Sequence, residues 1–388
     1  MDGRFAVVVV GSPGHGAEQV AALVAPYLAV LEEAGGGRVA SPQAAGGRPL
    51  LFLVATGGSE RALLDLWAGS GPLFLVAHPG HNSLPAALEA LAGVRRRGGR
   101  GRILYLDGPG DAAGRAAAVA AVNDLEAAAA LRRSRLGLVG PPSDWLVACR
   151  ADPGVVRRVW GPEVVAVGME RFLASCRAAA VEGSAGGGVE SALRALVREE
   201  HLDAVAVRCF DLIGALEATG CLALSALNDD GVVAGCEGDV PSALAMLWVR
   251  RVLGSASWMA NPARLDVVAG TVTLAHCTVP RLLVSGVRVD THFESGLGQA
   301  LAGDFPPGPV TLLRVGGIGL ERLWLEEGEV VSSGSEPDLC RTQATVRLGP
   351  GVVESLLTDP LGNHVVLVPG HHGARLRSWW ELFVVSSP

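Results

Sequence analysis

The 388-residue chain contains no lysine; all 32 of its basic residues are arginine. That excludes every mechanism needing a lysine from this chain, such as a Schiff-base nucleophile, a pyridoxal anchor or the phosphate-gripping residue of a P-loop. Long runs of one charge sign are also lacking. With 39 acidic residues the net charge is −7, the wrong sign for a polyanion-binding groove, so no nucleic-acid partner is expected. No uncharged apolar segment reaches the roughly 18 residues of a membrane span, and no membrane partner is expected either. The first apolar run, Phe5 to Val10, is short and follows the acidic Asp2, unlike the charged start and longer apolar stretch of a signal peptide. Cysteine is absent from the first 148 residues, and the seven that follow are scattered and never spaced CxxC. Neither a zinc ribbon nor a disulfide framework is indicated. The expectation is reduced, buried thiols in a cytoplasmic protein.

What is present is core material: 49% of residues are apolar, and the length suggests two or three domains at about 150 residues each. Uniformly apolar runs at 5–10, 50–55, 73–77 and 102–106 alternate with helix-like stretches at 17–33, 59–68, 84–93 and 112–131. Strands apolar on both faces and followed by helices imply a parallel, doubly wound sheet. A second such unit follows, with strands at 136–139, 164–167, 204–208 and 231–235 and helices at 169–180 and 188–199. The Gly/Ser-rich stretch 183–188 reads as a loop. After Trp258, short Val/Thr/Leu-rich runs at 267–274, 281–289, 310–315, 321–325, 329–332 and 343–347 read as an antiparallel β unit. The expected organisation is α/β, with two doubly wound Rossmann-like domains at 1–133 and 134–258 and a β-rich domain at 259–388.

Polar loops sit where such sheets bind ligands. Gly11-Ser-Pro-Gly-His-Gly16 has the wrong glycine spacing for a dinucleotide fingerprint and reads as a plain strand-to-helix turn. Thr56-Gly-Gly-Ser-Glu60 and His78-Pro-Gly-His-Asn-Ser83 leave the carboxyl ends of strands and face a ligand crevice, or else cap the next helices. In Cys236-Glu-Gly-Asp239, Glu237 suits a metal ligand or general base, and Asp239 suits a helix cap before Pro241. His276 ends an alternating strand, and His371-His372 follow the apolar run 365–368. With the acidic loop these make a set of N and O donors without thiolate, or, for His276, a hydrogen-bonded core histidine.

These segments in order resemble the L-fucose/L-arabinose isomerase superfamily, and most closely its short fucose isomerase-like proteins. The likeness is carried by Cys236-Glu-Gly-Asp-Val240, Met259-Ala-Asn-Pro262, Ala275-His-Cys277, Thr291-His-Phe-Glu-Ser295, Cys340-Arg-Thr-Gln343, Gly362-Asn-His364 and Val368-Pro-Gly-His-His372. The resemblance implies a C-terminal β-barrel-like domain. It also implies an aldose–ketose isomerase acting on an open-chain sugar through an enediolate, with a divalent metal, Mn2+, and a homo-oligomeric assembly. It places Glu237 and Asn261 at the catalytic positions, and Glu237, Asn261, His276 and His372 as metal ligands. Thr56, Glu60, His78, His81, Asn82 and His371 become the substrate-binding candidates. Asn261 stands 24 residues after Glu237, where the family has its second acidic ligand. An amide can offer its oxygen to a metal but adds no charge and relays no proton. The alternatives are a non-catalytic sugar-binding or assembly paralogue, or a metal-dependent epimerase or lyase.

Overall fold

The computed structural model describes residues 3–67, 69, 71–180, 186 and 188–384. The loop expected at 183–188 and the end of the helix expected at 59–68 fall largely outside them. The chain forms two compact units, one from residues up to Ala129 with Glu381–Phe383, the other from Ala130–Trp380.

In the first unit, strands β1 (Phe5–Val10), β2 (Gly36–Val39), β3 (Leu50–Val54), β4 (Leu73–Ala77) and β5 (Gly101–Tyr105) form a parallel sheet in the order β2-β1-β3-β4-β5. Its central strands β3 and β4 are buried at every position but Leu50, the pattern a sheet covered on both faces requires.

The second unit begins with the parallel sheet β6 (Arg135–Val139), β7 (Glu163–Val167), β8 (Ala204–Val207) and β9 (Val233–Gly235), ordered β7-β6-β8-β9. It continues with β10 (Trp258–Asp266) and β11 (Thr271–His276), the hairpin β12 (Ser285–Asp290) and β13 (Ala300–Asp304), then β14 (Gly308–Gly316), β15 (Arg322–Ser333), β16 (Thr342–Leu348) and β17 (Val365–Pro369). Six of these close into an antiparallel barrel, β10-β11-β16-β15-β14-β17. Trp258, Val272, Leu274, Leu312, Val346 and Leu367 are among the side chains of its buried core. The helix Val240–Leu253 is buried from Val240 to Val249 and packs on β6, β8 and β9 as well as on β10, β14 and β17. An all-round apolar helix must be covered on every side. This one is shared by the sheet and the barrel, both of which lie in the second compact unit.

Two expectations for the β unit are corrected. The first barrel strand is Trp258–Asp266, and residues 267–270 are the turn after it. Pro262, with the register shift between it and Arg264, breaks the alternation by which a strand is recognised. The separate runs at 321–325 and 329–332 are one strand, because Glu326, Glu327 and Gly328 stay paired with Leu312, Thr311 and Val310. Among the described residues, no helix is long and apolar enough to cross a membrane.

Candidate metal centre

The carboxyl ends of β6, β8 and β9 meet one rim of the barrel through their loops. After β9 the chain turns at Glu237 and Gly238, with φ values of 60° and 71°. A Cβ on Gly238 would lie 2.9 Å from the Pro142 Cα, so only glycine fits there. Glu237 pays for its left-handed backbone with about 1–2 kcal/mol. The turn is held by the Ser143 N–H donating to the Glu237 carbonyl at 2.9 Å and by the Gly238 N–H donating to the Val207 carbonyl at 3.0 Å.

The Glu237 carboxylate meets two histidines there. Its ligand atom and those of His276 and His364 all lie within 4.8 Å of one another, and all three residues are buried. His276 is the last residue of β11 and His364 immediately precedes β17; their ring centroids are 5.5 Å apart. Glu237 Oε2 accepts the Trp145 indole N–H at 2.7 Å, and Oε1 stands 3.5 Å from His364 Nε2. The opposite ring nitrogen, His364 Nδ1, is 2.9 Å from Asp239 Oδ2. Asp239 caps the helix Val240–Leu253 by accepting the Ser242 N–H at 2.9 Å, as its place before Pro241 suggested. It also receives Arg314 Nη1 at 2.9 Å. The outer wall is aromatic: Trp145 meets Phe210 edge-on at 4.9 Å, and Phe210 meets His292 at 5.4 Å.

Burial alone would raise the Glu237 carboxyl, but His364, His276 and the Trp145 N–H outweigh it and hold it below its ordinary value. Burial and the nearby His364 push His276 down to about 3, a neutral ring with a free lone pair. At His364, burial is overcome by hydrogen bonds and charge from Asp239 and Glu237, and its pKa rises to about 9. Metal binding at a ring nitrogen displaces such a proton.

The residues fit a divalent cation. His276 Nδ1 and Asn261 Oδ1 are shielded from solvent and make no hydrogen bond, a cost that buried polar groups rarely bear without a partner; His364 Nε2 has only the Glu237 carboxylate, at 3.5 Å. The β10–β11 ladder pairs Asn261 with Ala275, the residue before His276. Two imidazoles and one carboxylate form a borderline N/O donor set.

Glu237 and His276 thus stand together, and Asn261 sits on the neighbouring strand opposite Ala275. His372 does not join them. It lies past the far end of β17, a strand about 17 Å long, and its Nε2 is 2.8 Å from the Pro369 carbonyl. The histidine that the structure groups with Glu237 and His276 is His364 rather than the expected His372. His371 is exposed at that same far end, with Nε2 3.2 Å from the Gly328 carbonyl. The other substrate-binding candidates belong to the first unit. Thr56 is buried and its hydroxyl accepts the Ser12 N–H at 2.8 Å. Glu60 accepts the Gly58 N–H at 3.3 Å. His78 is buried, stacked on Tyr27 at 4.2 Å, with both ring nitrogens in hydrogen bonds to Ala55 and Gly80. His78 therefore has no free polar edge for a ligand, whereas His81 and Asn82 are exposed, in left-handed conformations.

Sequence reasoning passed over His364 and Trp145. The Gly362-Asn-His364 segment was visible, but nothing local distinguished its histidine from the His371-His372 pair.

No protein-family model matches the chain. Among curated proteins it is similar to the sulfoquinovose isomerase of Alkalicoccus urumqiensis, 30% identical over 132 residues, which is 32% of this chain and 30% of that protein. It is also similar to the sulfoquinovose isomerase of Priestia aryabhattai, 29% identical over 125 residues, 31% of this chain and 28% of that protein. The matched stretch thus spans under a third of the length of these relatives.

Proposed function

We propose that the chain is a metal-dependent aldose–ketose isomerase acting on an open-chain sugar. The observation that carries this reading is the convergence of Glu237, His276 and His364 donor atoms within 4.8 Å. The partial similarity to two sulfoquinovose isomerases supports it. Glu237, His276 and His364 would hold the cation, with Asn261 as a neutral oxygen donor beside them. A bound divalent cation supplies Lewis-acid polarisation of the adjacent carbonyl and hydroxyl oxygens of the sugar. Glu237, kept ionised by its neighbours, takes a proton from the hydroxyl-bearing carbon and returns it to the adjacent one, while the hydroxyl proton passes to the former carbonyl oxygen by way of solvent. Trp145 holds Oε2 while Oε1 stays on the side of His364, and the Trp145–Phe210–His292 wall offers a surface on which a sugar can lie.

The test is incubation with Mn2+, Co2+ or Zn2+ and a panel of aldoses: sulfonated, neutral and phosphorylated hexoses, 6-deoxyhexoses and pentoses, with products resolved by NMR. Interconversion of one aldose–ketose pair, abolished by chelator, is expected. Metal-loaded protein inert to the whole panel would overturn the reading. Asn261 favours a second reading, a sugar-binding paralogue without catalysis, because the amide removes one proton relay. Sugar binding that survives chelation, with no turnover, would select it.

A further inference from the structure

The Asp239 carboxylate is fully buried and its oxygens are engaged on every side. Oδ1 accepts the Ser242 N–H, while Oδ2 takes Arg314 Nη1, the Ser242 hydroxyl and His364 Nδ1, each at 2.9 Å. Arg314 is itself buried and immobilised: it donates to Cys149 Sγ at 3.0 Å and to the Ser242 hydroxyl. Gly362, two residues before His364, passes so close that a Cβ there would lie 2.6 Å from Arg314 Nη2. The backbone leading into His364 is thereby fitted against the same guanidinium.

An ionised carboxylate only accepts hydrogen bonds. The His364 nitrogen facing Asp239 must therefore carry hydrogen, and Nε2 is the atom turned toward Glu237 and His276. We propose that Asp239, anchored by Arg314, is the positioning residue of the centre, fixing the tautomer and ring orientation of His364 so that Nε2 is presented to the metal. This rests on reading the Glu237–His276–His364 group as a metal centre. Outer partners of this kind commonly govern metal affinity by 10- to 100-fold.

Asp239→Asn is the direct probe, because asparagine caps a helix as well as aspartate and preserves volume. Binding of Co2+ is followed by calorimetry and by its visible spectrum. The metal-free protein is labelled with 15N at histidine, and the ring-nitrogen shifts of His364 report which of its nitrogens carry hydrogen. The variant should bind Co2+ about 10- to 100-fold more weakly and should lose the fixed Nδ1–H signal. Should the uncompensated Arg314 charge unfold it, Asp239→Asn with Arg314→Met removes that charge, and the same two losses are expected. A folded variant that binds Co2+ like the wild type, or one that keeps the wild-type His364 signal, overturns the proposal. If the wild type itself takes up no Co2+, the metal-centre reading falls, and the nitrogen shifts alone decide whether Asp239 orients the ring.

Discussion

Trp145 gives its indole N–H to Glu237 Oε2 at 2.7 Å although the tryptophan is 53% exposed. An exposed aromatic thus reaches inward to hold a buried carboxylate. Trp145→Phe keeps the edge-on contact with Phe210 and removes only the donor. A hydrogen bond to a charged group is worth about 1.5–3 kcal/mol when buried; half exposure reduces that, so kcat should fall about tenfold with little change in melting temperature. Unchanged turnover would show that the indole does not hold Glu237 in the working protein.

Glu237 carries a second, purely conformational signature. Its φ of 60° is one that glycine adopts freely and alanine does not. Glu237→Gly should therefore be more stable than Glu237→Ala by about 1 kcal/mol in urea denaturation, while both lose all turnover. Glu237→Gln should also be inactive but fold normally. Equal stability of the glycine and alanine variants would contradict the turn geometry.

The two C-terminal histidine candidates separate cleanly. His364→Ala should weaken metal binding by at least 100-fold, whereas His372→Ala, across the length of β17, should leave it within about twofold of wild type. Calorimetric titration of both variants with Mn2+ decides the matter, and weakening by His372→Ala alone would restore the original expectation.

Asn261→Asp adds a charge at a shielded position. Without metal the extra carboxylate should lower the melting temperature, because a buried charge is costly unless paired. With Mn2+ added the upward shift should exceed that of the wild type. A shift no larger than the wild type's would mean that Asn261 does not face the cation.

Much of this architecture was legible in sequence because it is local. Phe5–Val10 and Leu73–Ala77 are strands of the length expected from their uninterrupted apolar runs, and Ala17–Glu33 is a helix bounded as its pattern indicates. Glu237 stood out because a strand end followed by Glu-Gly-Asp and a capped helix is a local arrangement. The helix Cys221–Asp229 was missed because it is buried on nearly every side, so no polar face marks its period. Trp258–Asp266 was missed because Pro262 and its bulge interrupt the alternation.

The partner of Glu237 was not decided locally. His364, His371 and His372 all flank the same five-residue strand, and the sequence determined only that histidines stand near its two ends. Barrel closure chose between them. Pairing of β17 with β10 and β14 turns the His364 end toward the loop after β9 and the His372 end away from it. Asp239 and His364, 125 residues apart in sequence, come to share a hydrogen bond. Composition and periodicity act over a few residues and so determined the elements. Which side chains converge depends on strand register across the whole barrel, where a displacement by one residue would send each side chain to the opposite face.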